Sequence, residues 1–144
     1  MKEWTFEANI DRISWLTDQV NEELEKLNCP MKVQMQIDVA IDELLANIAS
    51  YAYDLDAGET TVRFDFDAGT RTVSLTFIDS GVPYDPLAKP DPDVTLSVEE
   101  REVGGLGIFL VKKTMDDMTY VRRDGRNELT IRKHIEDLKR STRK

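Results

Sequence analysis

A carboxylate and an amide stand four residues apart in the segment IDELLANIASYAY, residues 41–53. Apolar residues recur around them at helical spacing, for example Ile37 and Leu44, which predicts an amphipathic helix. Residues four apart share one helix face, and this pair, Glu43 and Asn47, falls at the margin of the apolar stripe. A carboxylate there can take a proton from a nucleophile, and an amide oxygen can coordinate Mg²⁺. Taken alone, the same pair also fits a solvated helix flank.

The segment DSGVPYDP, residues 79–86, begins where a run of alternating apolar residues ends. An aspartate at a strand end can accept hydrogen bonds from the following backbone, and a glycine can adopt a positive φ. A plain turn therefore explains Asp79 and Gly81. A second interpretation is functional. At the bottom of a pocket, a carboxylate is an acceptor-only group suited to an exocyclic amino group such as that of adenine.

The segment GGLG contains Gly104, Gly105 and Gly107 and is predicted to open a helix. Backbone without side chains can approach a phosphate closely, and the free N–H groups and dipole at a helix start favour an anion. The segment is neither a dinucleotide fingerprint, since no βαβ unit surrounds it, nor a P-loop, since the GxxxxGK[ST] pattern is absent. A simple helix-entry turn explains an isolated glycine cluster equally well.

The periodicity of the sequence predicts the elements that connect these motifs. Strands are expected at residues 4–8, 60–67 and 72–79 and on both sides of a turn at Asp124-Gly125; helices are expected from Asn9 or Asp11 to about Leu27, from Met31 to Tyr53, and after GGLG. Residues 82–103 are expected to form a long loop. The predicted fold is α+β: a two-layer sandwich of a mixed, mostly antiparallel sheet with helices on one face, in a single domain spanning residues 1–144.

Composition narrows the class of protein. The chain has 144 residues and a net charge of −9, which argues against a nucleic-acid-binding protein because such proteins present a basic surface. Cys29 is the only cysteine, so no internal disulfide can form, and a reducing cytoplasm is the expected compartment. No apolar run approaches the ~20 residues that span a membrane, and the N-terminus has no apolar secretory region. The basic residues crowding the C-terminal tail are expected to lie on a solvated helix with a frayed end, and docking of an acidic partner is the alternative.

The order of the three motifs is more specific than any one of them. A helix with ExxxN, a strand ending in DxGxP, a long loop and a GxG helix start follow one another along the chain. In this order the chain resembles the GHKL ATP-binding superfamily, which includes gyrase, sensor histidine kinases and the heat-shock chaperone ATPases. Within it, the chain is most similar to the small stand-alone anti-sigma factor serine/threonine kinases. The resemblance runs from WTFEAN to LTIRKHI and implies the histidine-kinase-like ATPase fold.

The resemblance assigns roles to the helix and strand residues. It implies that Asn47 coordinates the Mg²⁺ that bridges the phosphates of ATP, and that Glu43 is the base that activates the attacking hydroxyl. It implies that Asp79 holds the adenine amino group and that Gly81 gives the base room. Phosphoryl transfer requires mostly positioning and charge neutralisation, so these few side chains are sufficient.

The resemblance also assigns the glycine-rich segment and the long loop. Gly104, Gly105 and Gly107 are expected to contact phosphates through their backbone, and residues 82–103 are expected to be a lid over bound nucleotide. One departure stands near the adenine pocket. Where many relatives carry Gly-Thr-Thr, this chain has Arg-Asn-Glu at residues 126–128, and Asn127 is expected to replace the polar contact of the threonine.

The family's biology implies the partners. Its members phosphorylate a serine or threonine of an anti-anti-sigma antagonist and sequester an RNA polymerase sigma factor, usually as homodimers. The resemblance therefore implies an anti-sigma factor with protein kinase activity, binding neither nucleic acid directly nor a membrane. The alternative is a non-catalytic, nucleotide-gated protein-binding module; Glu43 favours catalysis because binding alone needs no carboxylate near the γ-phosphate. A sensor histidine kinase is disfavoured because the only histidine, His134, falls at or just after the last predicted strand.

Overall fold

Five strands and three helices are defined in the computed structural model, which describes residues 1–49, 58–88 and 105–135. In chain order they are β1 (Lys2–Glu7), α1 (Ile10–Lys26), α2 (Met31–Asn47), β2 (Glu59–Asp67), β3 (Thr72–Asp79), α3 (Gly105–Thr114), β4 (Asp117–Arg123) and β5 (Arg126–His134). Each strand and helix predicted within these residues is present, with boundaries shifted by a few residues. The predicted end of the second helix and most of the predicted lid, residues 89–103, lie outside the described residues.

The strands form one sheet in the order β1-β2-β3-β5-β4, and all four pairings are antiparallel. Alternate residues of β2, β3 and β5 are buried, so one face of the sheet lies under the helices. The other face is polar and includes hydroxyl pairs across neighbouring strands, such as Thr76 with Thr130 at 3.0 Å. This is the alternation expected of an antiparallel sheet covered on one side, and the α+β prediction is confirmed.

Local sequence sets where the helices and the last hairpin begin and end. The Asn9 side chain caps α1 by accepting a hydrogen bond from the Arg12 backbone N–H at 3.1 Å, as predicted. Asn28 ends that helix region in a left-handed conformation with φ of 57°. In the β4–β5 turn, Asp124 and Gly125 both have positive φ, 52° and 76°. Two such residues form the turn type that matches the twist of a hairpin.

A single hydrophobic core lies between the helices and the sheet. Its fully buried side chains come from all three helices, from β2, β3 and β5 and from the residue after β5, and they include Leu16, Leu24, Ile37, Ile41, Leu44, Val62, Leu75, Phe77, Val111, Ile131 and Ile135. Each buried side chain of this size contributes about 1.5–3 kcal/mol relative to its exposed state. The core thereby holds α2 against the end of β3. None of the helices in the described part of the chain is long and apolar enough to cross a membrane.

A polar pair lies between α1 and α2. Asn21 donates a long hydrogen bond of 3.5 Å to Asp38 Oδ2, while Asn21 Oδ1 and Asp38 Oδ1 are both buried and find no partner among the residues that the structure describes. Burial raises the pKa of the Asp38 carboxyl, and the carboxylates of Asp42 and Asp18 add to the shift, against the lowering effect of Asn21. An aspartate with a raised folded-state pKa binds protons more readily in the folded than in the unfolded protein, so its ionisation destabilises the fold.

We expect Asp38→Asn to raise the melting temperature at pH 7, because the amide has no charge to bury and can still accept from Asn21. The advantage over wild type should shrink as the pH falls through the raised pKa, and it should vanish below the ordinary value of 3.8, where the wild-type carboxyl is protonated in both states. Thermal unfolding of both proteins from pH 3 to 8 measures the difference. Asp65→Asn, at an exposed position of β2, is the control. An advantage that does not change with pH contradicts the electrostatic cause.

Candidate active site

Asp79 and Asn127 face each other across neighbouring strands. Asp79 ends β3 and pairs in register with Asn127 near the start of β5. Both continue the buried alternation of their strands, through Phe77 and Leu129, so both side chains lie on the helix-covered face. They are 5% and 4% exposed, and Asn127 Nδ2 donates to Asp79 Oδ1 at 2.9 Å. A buried carboxylate is thus supplied with a donor by the strand next to it.

The predicted turn after Asp79 is present and uses the same carboxylate oxygen. The Gly81 backbone N–H donates to Asp79 Oδ1 at 2.9 Å. Gly81 does not, however, have the positive φ considered for it; in the described part of the chain, the residues with positive φ are Asn28, Arg71, Asp124 and Gly125. Asp79 Oδ2 has no hydrogen-bond partner within the described ranges, so it remains able to accept from a ligand.

The electrostatic state of Asp79 reflects competing effects. Burial raises the pKa of its carboxyl, and this effect exceeds the lowering by the hydrogen bonds from Asn127 and Gly81 and by the charge of Arg122. The carboxylate is therefore held in a site that stabilises its charge incompletely. A ligand that donates a hydrogen bond to Asp79 would relieve part of this cost.

Asn127 connects the segment that follows β3 to both C-terminal strands. Besides Asp79, its Nδ2 donates to the Val82 carbonyl at 2.8 Å. Its Oδ1 accepts from the Tyr120 hydroxyl, from Arg122 Nη1 at 3.2 Å and from the Tyr84 backbone N–H at 3.4 Å. The side-chain amide is thus fully used, and it positions the start of the segment after β3.

Two residues of this network, Tyr120 and Arg122, were not predicted from the sequence. Arg122 pairs with Asn127 in the β4–β5 register and also donates to the Gly81 carbonyl at 2.8 Å. Tyr120, two residues earlier, lies on the same face of β4. The two-residue turn at 124–125 was the signal that could have found them, because it fixes which residues of the hairpin lie opposite each other.

A small pocket lies between α2 and the end of the sheet where Asp79 of β3 meets Asn127 of β5. Its walls are Leu44, Asn47, Ile48, Phe77, Asp79, Tyr84, Pro86, Tyr120, Asn127 and Leu129. The structure therefore brings Asn47 and Asp79, which are distant in sequence, to one cavity. That cavity has a volume of about 30 Å³, whereas cavities that admit a benzene ring are near 150 Å³. Tyr84 and Pro86, which belong to the segment after β3, have to move before an aromatic base can enter.

Glu43 lies next to the start of α3 rather than in this pocket. A Cβ added to Gly107 would lie 2.7 Å from the Glu43 carboxyl carbon, and closer still to Oε2. The carboxylate therefore rests against the backbone of the first turn of α3. Gly105 is the first residue of that helix, as predicted, and Gly104 lies outside the described residues. Two residues of α2 thus reach two different places: Glu43, the predicted base, lies beside the start of α3, and Asn47 lines the pocket of Asp79.

Comparison with known proteins identifies the family. A family model of the histidine kinase-like ATPase domain matches residues 6–133, which is most of the chain. The chain belongs to this family. Among solved structures, the RsbU and RsbW domains of a Mycobacterium tuberculosis protein align with 94% of this chain and 33% of that chain, with a TM-score of 0.59 and 16% identity. That likeness shows the same fold.

Relatives at about 30% identity are named as kinases. Serine/threonine-protein kinase BtrW of Bordetella bronchiseptica is 31% identical over 103 residues, 72% of this chain and 72% of that protein. Serine-protein kinase RsbW of Bacillus cereus is 32% identical over 91 residues, 60% of this chain and 56% of that protein. The chain therefore matches little more than half the length of this RsbW.

We expect Asn127→Ala to lower the melting temperature by roughly 3–8 °C, because it leaves buried polar groups without partners at a cost of about 1–3 kcal/mol. It should also free Val82 and Tyr84 from β5 and weaken nucleotide binding. Thermal unfolding and calorimetric titration measure the two effects. Thr130→Ala removes a cross-strand hydrogen bond on the opposite face of β5 and is the control: it should leave nucleotide affinity unchanged. Wild-type nucleotide affinity in the Asn127 variant contradicts the role given to this network.

Proposed function

We propose that this protein is an ATP-dependent serine/threonine protein kinase that acts as an anti-sigma factor and phosphorylates an anti-anti-sigma antagonist. One observation carries the proposal: α2 places Asn47 in the cavity of the buried Asp79 and, one turn earlier, places the carboxylate of Glu43 at the start of α3. This arrangement supports Asp79 as the adenine acceptor, Asn47 as the metal ligand and Glu43 as the base. The names of the relatives BtrW and RsbW support kinase activity.

The pocket at the end of β3 is proposed to bind adenine. Asp79 Oδ2 accepts the exocyclic amino group, while Asn127 and the Gly81 N–H hold Oδ1 and fix the direction of the carboxylate. Phe77 and Leu129 supply apolar walls next to it. Entry of the base displaces Tyr84 and Pro86, which lie at the start of the proposed lid, residues 82–103. Binding is thereby coupled to the position of the lid.

The start of α3 is proposed to bind the phosphates. The backbone of Gly105 and Gly107 opens the helix, where N–H groups and the dipole favour an anion, and Gly104 is proposed to extend this contact. Asn47 is proposed as a protein ligand of Mg²⁺, because an amide oxygen is a ligand that this ion accepts. A bound Mg²⁺ would neutralise charge on the phosphates.

Glu43 is proposed to accept the proton of the attacking serine or threonine hydroxyl. Its position beside the phosphate-binding helix start is where that hydroxyl has to arrive. The partners follow from the resemblance to the anti-sigma kinases: an anti-anti-sigma antagonist as substrate and a sigma factor as the sequestered protein, bound by a homodimer in the cytoplasm. Nucleotide-dependent movement of the lid region is proposed to select between them.

We expect Glu43→Ala to reduce phosphoryl transfer at least about a hundredfold, because a general base contributes about 10²–10⁴-fold to a rate, while ATP affinity stays near wild type. Transfer of labelled phosphate to candidate antagonist domains measures the first, and calorimetry the second. Glu22→Ala, on the exposed side of α1, is the control. Transfer at the wild-type rate would refute the assignment of the base. Nucleotide binding by a wild-type protein that transfers no phosphate would favour the gated binding module instead.

We expect Asp79→Asn to weaken ATP binding at least about tenfold, because the amide can present a donor where adenine also donates. The melting temperature at pH 7 should stay the same or rise, because the variant buries no charge and can keep the hydrogen bonds to Oδ1. Asp67→Asn is the matched control: Asp67 also accepts from a glycine N–H two residues on, Gly69, but lies exposed at the end of β2. Unchanged ATP affinity in the Asp79 variant would mean that DSGVPYDP forms a turn and does not contact adenine.

A further inference from the structure

Gly107 on α3 lies directly against the side chain of Glu43 on α2. A Cβ at position 107 would lie 2.7 Å from the Glu43 carboxyl carbon and 3.4 Å from its Cγ, with Oε2 nearer than either. Carbon atoms in favourable contact are about 3.5–4.0 Å apart. Any side chain at 107 would therefore require the carboxyl carbon to move by about 1 Å.

Backbone conformation does not explain the glycine. Gly107 is the third residue of α3 and is not among the described residues with positive φ, so alanine could adopt the same backbone. In a helix interior, glycine is less favourable than alanine by about 1 kcal/mol. The three atoms nearest to a Cβ at this position all belong to Glu43, whose carboxylate occupies the space that a side chain would need.

Other contacts leave the Glu43 carboxylate with little restraint. No residue in ranges 1–49, 58–88 or 105–135 donates a hydrogen bond to it or forms an ion pair with it. The contact that the structure shows for it is with the backbone of Gly107, in the first turn of α3. This is the end of the helix where the dipole favours an anion.

We propose that Gly107 is a positioning residue for Glu43: its missing side chain creates the space in which the carboxylate is held beside the first turn of α3. This inference rests on the proposed function insofar as Glu43 is the base. If Glu43 is the base, the backbone of α3 at Gly107 limits where its carboxylate can lie. Displacing a catalytic group by 1 Å can reduce a rate by about a hundredfold. Gly107→Ala should therefore act on the rate of transfer more than on nucleotide affinity.

A double-mutant cycle tests the contact without relying on activity. It compares the wild type, Gly107→Ala, Glu43→Ala and the double variant by thermal unfolding in the absence of nucleotide. With Glu43 removed, Gly107→Ala should raise the melting temperature by about 2 °C, because only the helix propensity changes. With Glu43 present, the same change should give no rise or a fall. An equal shift in both backgrounds would overturn the proposal.

The kinetic arm separates positioning from phosphate contact. Gly107→Ala should lower kcat for phosphoryl transfer at least about tenfold while the Kd for ATP changes by less than about threefold. The opposite split, weakened ATP binding with unchanged kcat at saturation, would mean that the glycine serves only the phosphates and would overturn the proposal. If the wild type transfers no phosphate, the proposed function fails, and the unfolding cycle still decides the role of Gly107.

A control variant and a folding-rescue comparison complete the test. Gly69→Ala makes the same chemical change in the β2–β3 turn, where a Cβ would meet only Asp67 Oδ1, at 3.3 Å, and its effect on melting should be equal with and without Glu43. If Gly107→Ala does not fold, recovery of folding by adding Glu43→Ala supports the contact. Failure of the double variant to fold as well would overturn it.

Discussion

The burial of the Asp79 carboxyl group is the constraint on which the sheet end of this protein depends. Asp79 lies where water is excluded, so its oxygens need donors from the protein or from a ligand. Asn127 and the Gly81 N–H supply two donors to Oδ1, while Oδ2 remains available. The raised pKa shows that these donors compensate only in part. The arrangement therefore favours the binding of a hydrogen-bond donor more than it stabilises the folded protein.

The core connects this sheet end to the helices. Leu44 and Phe77 hold α2 over β3, and that packing brings Asn47 into the cavity of Asp79. One turn earlier on α2, Glu43 reaches the first turn of α3 at Gly107. A single helix thus contacts both the proposed adenine-binding position and the proposed phosphate-binding position. Phosphoryl transfer requires mainly such positioning, since little covalent chemistry falls to the protein.

Much of the site could be predicted because its residues stand at sequence-readable places: the ends of strands, the margin of an amphipathic helix and a glycine-rich helix start. The structure places Glu43, Asn47, Asp79, Gly81 and Asn127 at one end of the fold, near Gly105 and Gly107. Their roles remain predictions. Tyr120 and Arg122 were missed because single polar residues on a strand carry no signal until the register of the hairpin is known.

By itself, the sequence determined the elements, the buried face of each strand and the capped start of α1, because these depend on residue periods and local hydrogen bonds. Only the tertiary structure decided that Asn127 meets Asp79, that Tyr84 and Pro86 leave a cavity of about 30 Å³, and that Glu43 lies against Gly107. The two contacts join residues 48 and 64 positions apart, and the cavity depends on packed volume; neither is encoded in a local pattern.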